Sequence, residues 1–470
     1  MATEAVESSV GLRSDRGAIL ASLMLATGLV ALDSTIIATA VLTITDSLGG
    51  FSQFPWLFSI YLLTQAVTVP VYGKVADTFG RKPVILFGIA VFALGSLLCG
   101  AATSMLGLII FRAVQGIGAG AIMPMTMTIA GDLYTLTERA RVQGYLASVW
   151  AISAVVGPLL GGLFAEYVSW RWIFLINIPL SALAGWMLVR NFQESTPRRK
   201  QRVDYLGAAL LTVGAGALIL GLLEGGQAWA WSSPTGIGIF VGSASVLVLF
   251  ALVERRAANP ILPLWVFTRR VIIASSLVSV LVGAILLGMT SYVPTFTQGV
   301  LGTGALIAGL TVGALTLGWP LAASQAGKVY LRVGFRATAL IGSTLATVGA
   351  ATTLLIDENS TLIQVAASCF LIGTGMGLVA TPTLIAAQTT AQWSERGVVT
   401  SANMFARSLG SAVGVAIFGA IVNSRVGDTD HPAPALLSSA VHLVFLAVAA
   451  MALVMVTASA MMPRRGTNAA

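Results

Sequence analysis

The stretch Gly73-Lys74-Val75-Ala76-Asp77-Thr78-Phe79-Gly80-Arg81-Lys82 returns in altered form as Gly327-Lys328-Val329-Tyr330-Leu331-Arg332-Val333-Gly334-Phe335-Arg336. Both copies open Gly-Lys-Val and place a second glycine at the same offset, with arginine close behind. Each lies at the end of one long apolar run and just before another. A second echo sets Gly116, Gly118, Gly120 and Pro124 against Gly373, Gly375, Gly377 and Pro382, at nearly the same separation along the chain. The pattern predicts two parallel copies of a helical unit. Internal repeats of this kind are characteristic of secondary transporters, whose substrate path lies between the copies.

Composition names the solvent. Hydrophobic residues make up 56% of the 470 positions and charged residues 9%. A water-soluble domain carries roughly 25% charged residues, so lipid is the medium that fits this chain. About fourteen runs reach the roughly 20 mainly apolar residues that a spanning helix needs. They lie near 18–45, 55–73, 83–103, 106–131, 142–165, 172–190, 205–223, 236–253, 271–296, 304–327, 337–356, 362–387, 398–422 and 437–461. In lipid such runs are helical because their backbone must satisfy its own hydrogen bonds. The first run is too long for a secretory leader and reads as a retained span.

The expected fold is therefore all-α and integral to the membrane. A tail (1–16) precedes a six-helix bundle (17–202), a two-helix linker hairpin (203–256), a second six-helix bundle (257–462) in pseudo-twofold relation, and a tail (463–470). An even number of spans puts both termini on one side. With that side cytoplasmic, only Arg171 and Arg425 of the 26 Lys and Arg fall outside, and only Arg112 and Arg407 fall within spans. The remainder, including Arg81, Lys82, the run Arg198–Arg202, Arg269, Arg270 and Arg464, face the cytoplasm. That is the positive-inside pattern of a multi-pass protein of the cell membrane.

Several function classes fall away. The formal charge of +8 is spread in short clusters between apolar runs, whereas nucleic-acid binding needs a basic face on a folded domain. Cys99 and Cys369 sit far apart inside apolar runs, and His431 and His442 lack partners at metal-ligand spacing. No Gly-x-x-x-x-Gly-Lys-Ser/Thr loop is present to cradle a nucleotide. No metal, cofactor or catalytic site is expected, and the chain reads as a monomeric carrier rather than an enzyme.

The Gly73–Lys82 stretch resembles the signature loop of the major facilitator superfamily, with Val75 and Thr78 in place of the usual Leu and Arg. Leu108–Gly120, with Arg112, Gln115 and Gly116, is similar to that family's fourth-helix motif. Gly157-Pro158 with Gly161-Gly162 is similar to its exporter-associated fifth-helix motif. Leu32-Asp33-Ser34-Thr35-Ile36, Trp170–Phe174 with Asn177 and Pro179, and the central hairpin resemble the fourteen-helix drug:proton antiporter branch. The resemblance implies two six-helix bundles and proton-driven export of amphipathic compounds, cationic ones included, by alternating access. It also implies a part for Arg112 in proton transfer. The second copy departs from the pattern: Leu331 replaces Asp77, and Cys369 stands where Arg112 would be. Proton-coupled uptake of a metabolite, or export of lipids or secreted metabolites, stays open.

Asp33 is the one carboxylate placed well inside a span, and ionisable groups there carry function by default. The expectation is that it exchanges a proton, with an ion pair to Arg112 as the plainer alternative. Asp77 is expected to meet a helix N-terminus and Arg81 to pair with Asp132, making with Gly73, Gly80 and Lys82 a gate at the cytoplasmic end. Gly157-Pro158 and Gly161-Gly162 are expected to form a moving seam, with close packing as the alternative. Trp56, Tyr61, Gln65, Gln115, Met123, Trp150, Tyr292, Phe296 and Asn403 are candidates for the cavity wall, since rings attract cations and thioethers adapt to varied shapes. Glu224 is assigned to the outer interface, and Arg407 either bears a buried charge or snorkels.

Overall fold

A computed structural model describes all residues except 1–10, 38–39, 50–55, 195–203, 227, 427–432 and 463–470. The run Arg198–Arg202, Arg464 and His431 therefore lie outside the described residues.

Among the described residues the secondary structure is helical, without β-strands. The first half contains α1 (Gly17–Ile36), α2 (Val41–Leu48), α3 (Trp56–Phe79), α4 (Arg81–Gly100), α5 (Met105–Leu133), α6 (Leu136–Tyr167), α7 (Trp172–Leu175) and α8 (Asn177–Asn191). The hairpin is α9 (Tyr205–Glu224) and α10 (Pro234–Glu254). The second half contains α11 (Arg270–Gly299), α12 (Ala305–Val333), α13 (Phe335–Thr353), α14 (Leu362–Thr389), α15 (Arg396–Val426) and α16 (Pro434–Ala460).

Helix starts follow local chemistry. Ser104, Asp204 and Ser233 each accept a backbone N–H of the first turn, and Thr135 and Thr361 form capping boxes with Glu138 and Gln364. At the two signature loops the chain turns between helices on a glycine, Gly80 at φ 102° and Gly334 at φ 87°. Side chains rarely adopt that conformation.

The second echo is a packing device. A Cβ on Gly118 would lie 2.3 Å from the Phe92 backbone nitrogen of α4, and one on Gly116 would lie 2.5 Å from the Tyr61 carbonyl of α3. In the second half a Cβ on Gly375 would lie 2.3 Å from the Ala346 nitrogen of α13, and one on Gly373 would lie 2.1 Å from the Leu315 carbonyl of α12. Thus α5 wedges between α3 and α4 as α14 wedges between α12 and α13. Small residues permit these approaches where lipid offers no hydrophobic drive between helices.

The halves meet through α3 against α15 and α6 against α12. In each pair the second long helix of one half meets the fifth of the other, as a pseudo-twofold requires. One buried cluster fills the first half around Leu23, Phe92 and Met125, and another fills the second around Ile285, Met376 and Phe445. A third joins Leu211, Ile219 and Phe250 of the hairpin to Val67 of α3 and Val399 and Ala402 of α15. The hairpin therefore leans on both halves, along one side of the seam.

The expected count of fourteen spans is not reached: among the described residues 13 helices are long and apolar enough to cross a membrane. The one that falls short is α13, whose 19 residues include Arg336, Ser343 and a series of threonines.

Candidate functional site

Asp33 lies near the end of α1, 1% exposed. Its carboxylate accepts from Arg112 Nη1 at 2.7 Å and from Gln115 Nε2 at 2.8 Å, both on α5. Asn177 Nδ2, from the start of α8, donates to the same carboxylate at 3.1 Å. Gln115 also donates to Ser96 of α4 at 2.8 Å and accepts from Arg112 at 2.7 Å. Arg112 completes its set with the Leu57 carbonyl at 3.2 Å and lies 4.1 Å above the Tyr61 ring. Four helices and the start of a fifth thus close on one buried ion pair. Removing either partner of such a pair typically costs about 3–5 kcal/mol, because the other is left charged in a low dielectric.

Gly157 serves this cluster indirectly. A Cβ there would lie 2.0 Å from Thr35 Oγ1, and that hydroxyl donates to the Ser153 carbonyl of α6 at 2.9 Å. The glycine lets α6 lie directly against α1 two residues beyond Asp33. Pro158 follows it within α6, Gly161 is buried, and Gly162 faces open space.

The second constellation closes one end of the seam. Asp77 accepts from the backbone N–H groups of Gly397 at 3.1 Å and Val398 at 2.9 Å, the first turn of α15. A helix N-terminus carries a partial positive charge and free donors, so a carboxylate is stabilised there. Arg81 pairs with Asp77 at 2.8 Å and Asp132 at 3.1 Å, donates to the Trp393 carbonyl at 2.8 Å, and lies 3.7 Å above the Trp393 ring. Arg396 returns across the seam to Asp132 at 3.1 Å. Tyr330 of α12 adds a bond from its hydroxyl to the Leu136 carbonyl at 2.9 Å. Gly73 is part of the closure, since a Cβ there would lie 2.8 Å from the Gly397 carbonyl. Gly80 and Lys82 hold the loop instead: the Glu194 carboxylate accepts the Arg81 N–H at 2.7 Å and the Lys82 N–H at 3.2 Å, and Lys82 Nζ reaches the Val189 carbonyl at 2.9 Å.

The wall candidates are spread over both halves. Tyr61 and Gln115 belong to the Asp33 cluster. Phe296 is buried against Phe445 in the second half's core, and Tyr292 stands edge-on to Phe418. Asn403 bonds Ser275 and Ser279 of α11 at 2.8 and 2.9 Å. Met123 is buried, Trp56 and Gln65 are half-buried on α3, and Trp150 is exposed. Glu224, at the end of α9, is buried against α3 with a bond from Ser59. Sequence reasoning missed Ser96, Glu194, Trp393 and Arg396, and it read Asn177 only as part of a motif. Uncharged residues in a span read as packing, and the latch partners lie more than half the chain away from Asp77.

A multi-pass bundle of two like halves, locked by charge across one end of their seam, defines a membrane transporter of small molecules. The chain belongs to the Major Facilitator Superfamily, whose family model matches residues 23–415. It is 34% identical over 429 residues to "Multidrug transporter protein MdtP" of Bacillus subtilis (strain 168), covering 91% of this chain and 79% of that protein. It is also 34% identical over 403 residues to "Multidrug resistance protein 3" of the same organism, covering 86% and 79%. The crystal structure of the human organic anion transporter MFSD10 superposes with a TM-score of 0.66 at 15% identity, covering 95% of this chain and 99% of that one, a likeness of fold.

Proposed function

We propose that this protein is a proton-coupled exporter that moves amphipathic small molecules out of the cytoplasm by alternating access. The observation that carries the proposal is the Asp33 carboxylate, 1% exposed and held by Arg112, Gln115 and Asn177. A proton taken up here cancels the carboxylate and strands the Arg112 charge, so one proton changes the energy of the whole first half. The site has spare capacity for that exchange. Among the described residues the Asn177 carbonyl oxygen and the Tyr61 hydroxyl are buried without a hydrogen-bond partner. The carbonyl can accept from a neutral Asp33, and the hydroxyl can rearrange beside it. Export rather than uptake is supported by the two relatives named as multidrug proteins and by the Gly157–Gly162 motif on α6.

On this reading α13 is the fourteenth span. It takes the place of α4 in the repeat, follows a glycine of the same geometry, and packs on the glycines of α14 as α4 packs on those of α5. With fourteen spans both termini fall on one side, and the basic loops favour the cytoplasm as that side. The Asp77–Arg81 latch then shuts the cytoplasmic end, leaving Asp33 to communicate with the outside.

The test is purified full-length protein in liposomes under an imposed pH gradient, with rhodamine 123 and fluorescein as cargo and a trapped pH dye as readout. Wild type should move dye together with protons, and Asp33→Asn should move no protons. Equal dye movement by Asp33→Asn, with or without the gradient, overturns proton coupling and leaves a facilitator.

A further inference from the structure

Arg139, on the first turn of α6, is 7% exposed and takes no part in the ion pairs of the latch. Its Nε donates to the Tyr134 carbonyl at 2.9 Å and its Nη2 to the Gly131 carbonyl, both at the C-terminal end of α5. Its Nη1 is buried without a hydrogen-bond partner among the described residues. The carboxylates at hand are taken. Asp132 gives one oxygen to Arg81 and the other to Arg396, at 3.1 Å each. Glu138 is turned to Arg16 and to the Thr135 N–H. Among the described residues no carboxylate lies at ion-pair distance from Arg139.

What faces it across the seam is another cation. Arg396, at the start of α15, donates to the same Gly131 carbonyl at 3.1 Å. Two guanidinium groups from opposite halves thus converge on one oxygen. Of the charges around Arg139, that of Arg396 acts on it more strongly than that of Asp132. Arg396 Nε, like Arg139 Nη1, is buried and unpartnered among the described residues. Tyr330 of α12 approaches the same spot from the second half, its hydroxyl bonded to the Leu136 carbonyl one turn before Arg139. The second half therefore supplies both the like charge and part of the cover. Both leave Arg139 when the seam parts, whereas its bonds to Gly131 and Tyr134 lie within the first half and remain. Like charges close together in a poorly hydrated site repel, and a charge kept from water without a partner is costly. Both penalties fall on the shut state alone.

We propose that Arg139 opposes the latch: its charge, pressed against Arg396 across the seam, keeps the shut state shallow enough to open in each cycle. Arg81 and Arg396 draw the halves together through Asp77 and Asp132, and Arg139 pushes back at the same end. It is a positioning residue, acting on the seam rather than on cargo. The assignment rests on the reading of the chain as a carrier whose seam opens and shuts.

The test reads how often the seam opens. Ser401 is fully buried against Gly73, so a cysteine there meets a hydrophilic maleimide only while the halves are apart. The full chain is labelled in nanodiscs, with the parent, whose Cys99 and Cys369 are buried, as blank. A residue that merely held α5 to α6 would loosen the seam on removal and speed labelling. Arg139→Gln should instead slow it by about fivefold or more, and slow dye export in vesicles with it. Arg139→Lys, which keeps the charge and gives up the fork of bonds, should stay within about twofold of the Ser401→Cys parent. In an Arg396→Gln background the slowing by Arg139→Gln should shrink to less than half on a logarithmic scale, as coupled charges require. Unchanged or faster labelling in a folded Arg139→Gln overturns the proposal, and so does equal slowing by Arg139→Lys or equal slowing without Arg396. Asp77→Asn keeps the two readings apart. If that change leaves labelling unaltered, the latch fails; if it speeds labelling while Arg139→Gln does not slow it, the opposing charge alone fails.

Discussion

Replacing Asp77 by Asn tests the latch quantitatively. The carboxylate accepts two N–H groups from the first turn of α15, across the seam, and pairs with Arg81 on its own side. The Arg81 pair persists whether the seam is shut or open, so it cancels between the two states. The two cross-seam bonds do not. A hydrogen bond to a charged group contributes about 1.5–3 kcal/mol against about 0.5–1.5 for a neutral one, so losing the charge costs about 1 kcal/mol per bond. The favourable placement at a helix N-terminus adds about 0.3–1 kcal/mol. The shut state thus loses about 2–3 kcal/mol relative to the open one, a shift of roughly 30- to 150-fold in their ratio. Ser401 supplies the reporter. It is fully buried against Gly73, and its hydroxyl has no hydrogen-bond partner among the described residues. A cysteine at that position should react with a membrane-impermeant maleimide in proportion to the open fraction. Ser401→Cys combined with Asp77→Asn should label at least tenfold faster than Ser401→Cys alone, and dye transport should slow sharply. Labelling within twofold of the parent, in protein that remains folded, would refute the latch.

Tyr330→Phe removes one neutral bond across the same end. It should speed Ser401→Cys labelling by only a few-fold, in line with about 0.5–1.5 kcal/mol. Gly157→Ala should slow transport strongly, because its methyl lands 2.0 Å from Thr35 Oγ1; adding Thr35→Ala should restore part of the rate, since that oxygen is the nearest obstacle. Purified Gly157→Ala with wild-type turnover would show that α1 and α6 have slack there. The Asp33→Asn measurement set out above completes the series.

The membrane class and the duplication were legible because lipid leaves few alternatives: apolar length dictates helices, and paired glycines at matched offsets mark matched packing. Asp33, Arg112, Asp77 and Arg81 could be singled out because charge near or within a span is costly without a purpose. What could not be read was the partner set. Asn177 and Ser96 are ordinary polar residues until α8 and α4 bring them to a carboxylate, and Trp393 and Arg396 acquire meaning only where α15 begins against α3. Tyr61 read as an open wall because a ring's surroundings are set by tertiary packing; here it lies under Arg112. α13 shows the opposite lesson: the apolar run at 337–356 reads as a span, whereas among the described residues its helix is not long and apolar enough to count with the other 13.

The two signature loops share their turning glycine, but only the first retains a carboxylate, Leu331 standing where Asp77 would be. A machine with twin hinges and a single bolt is not symmetric in time. With the bolt on the cytoplasmic side, as proposed above, the described conformation is shut toward the cell's contents, and entry from within is the step where loading must do its work.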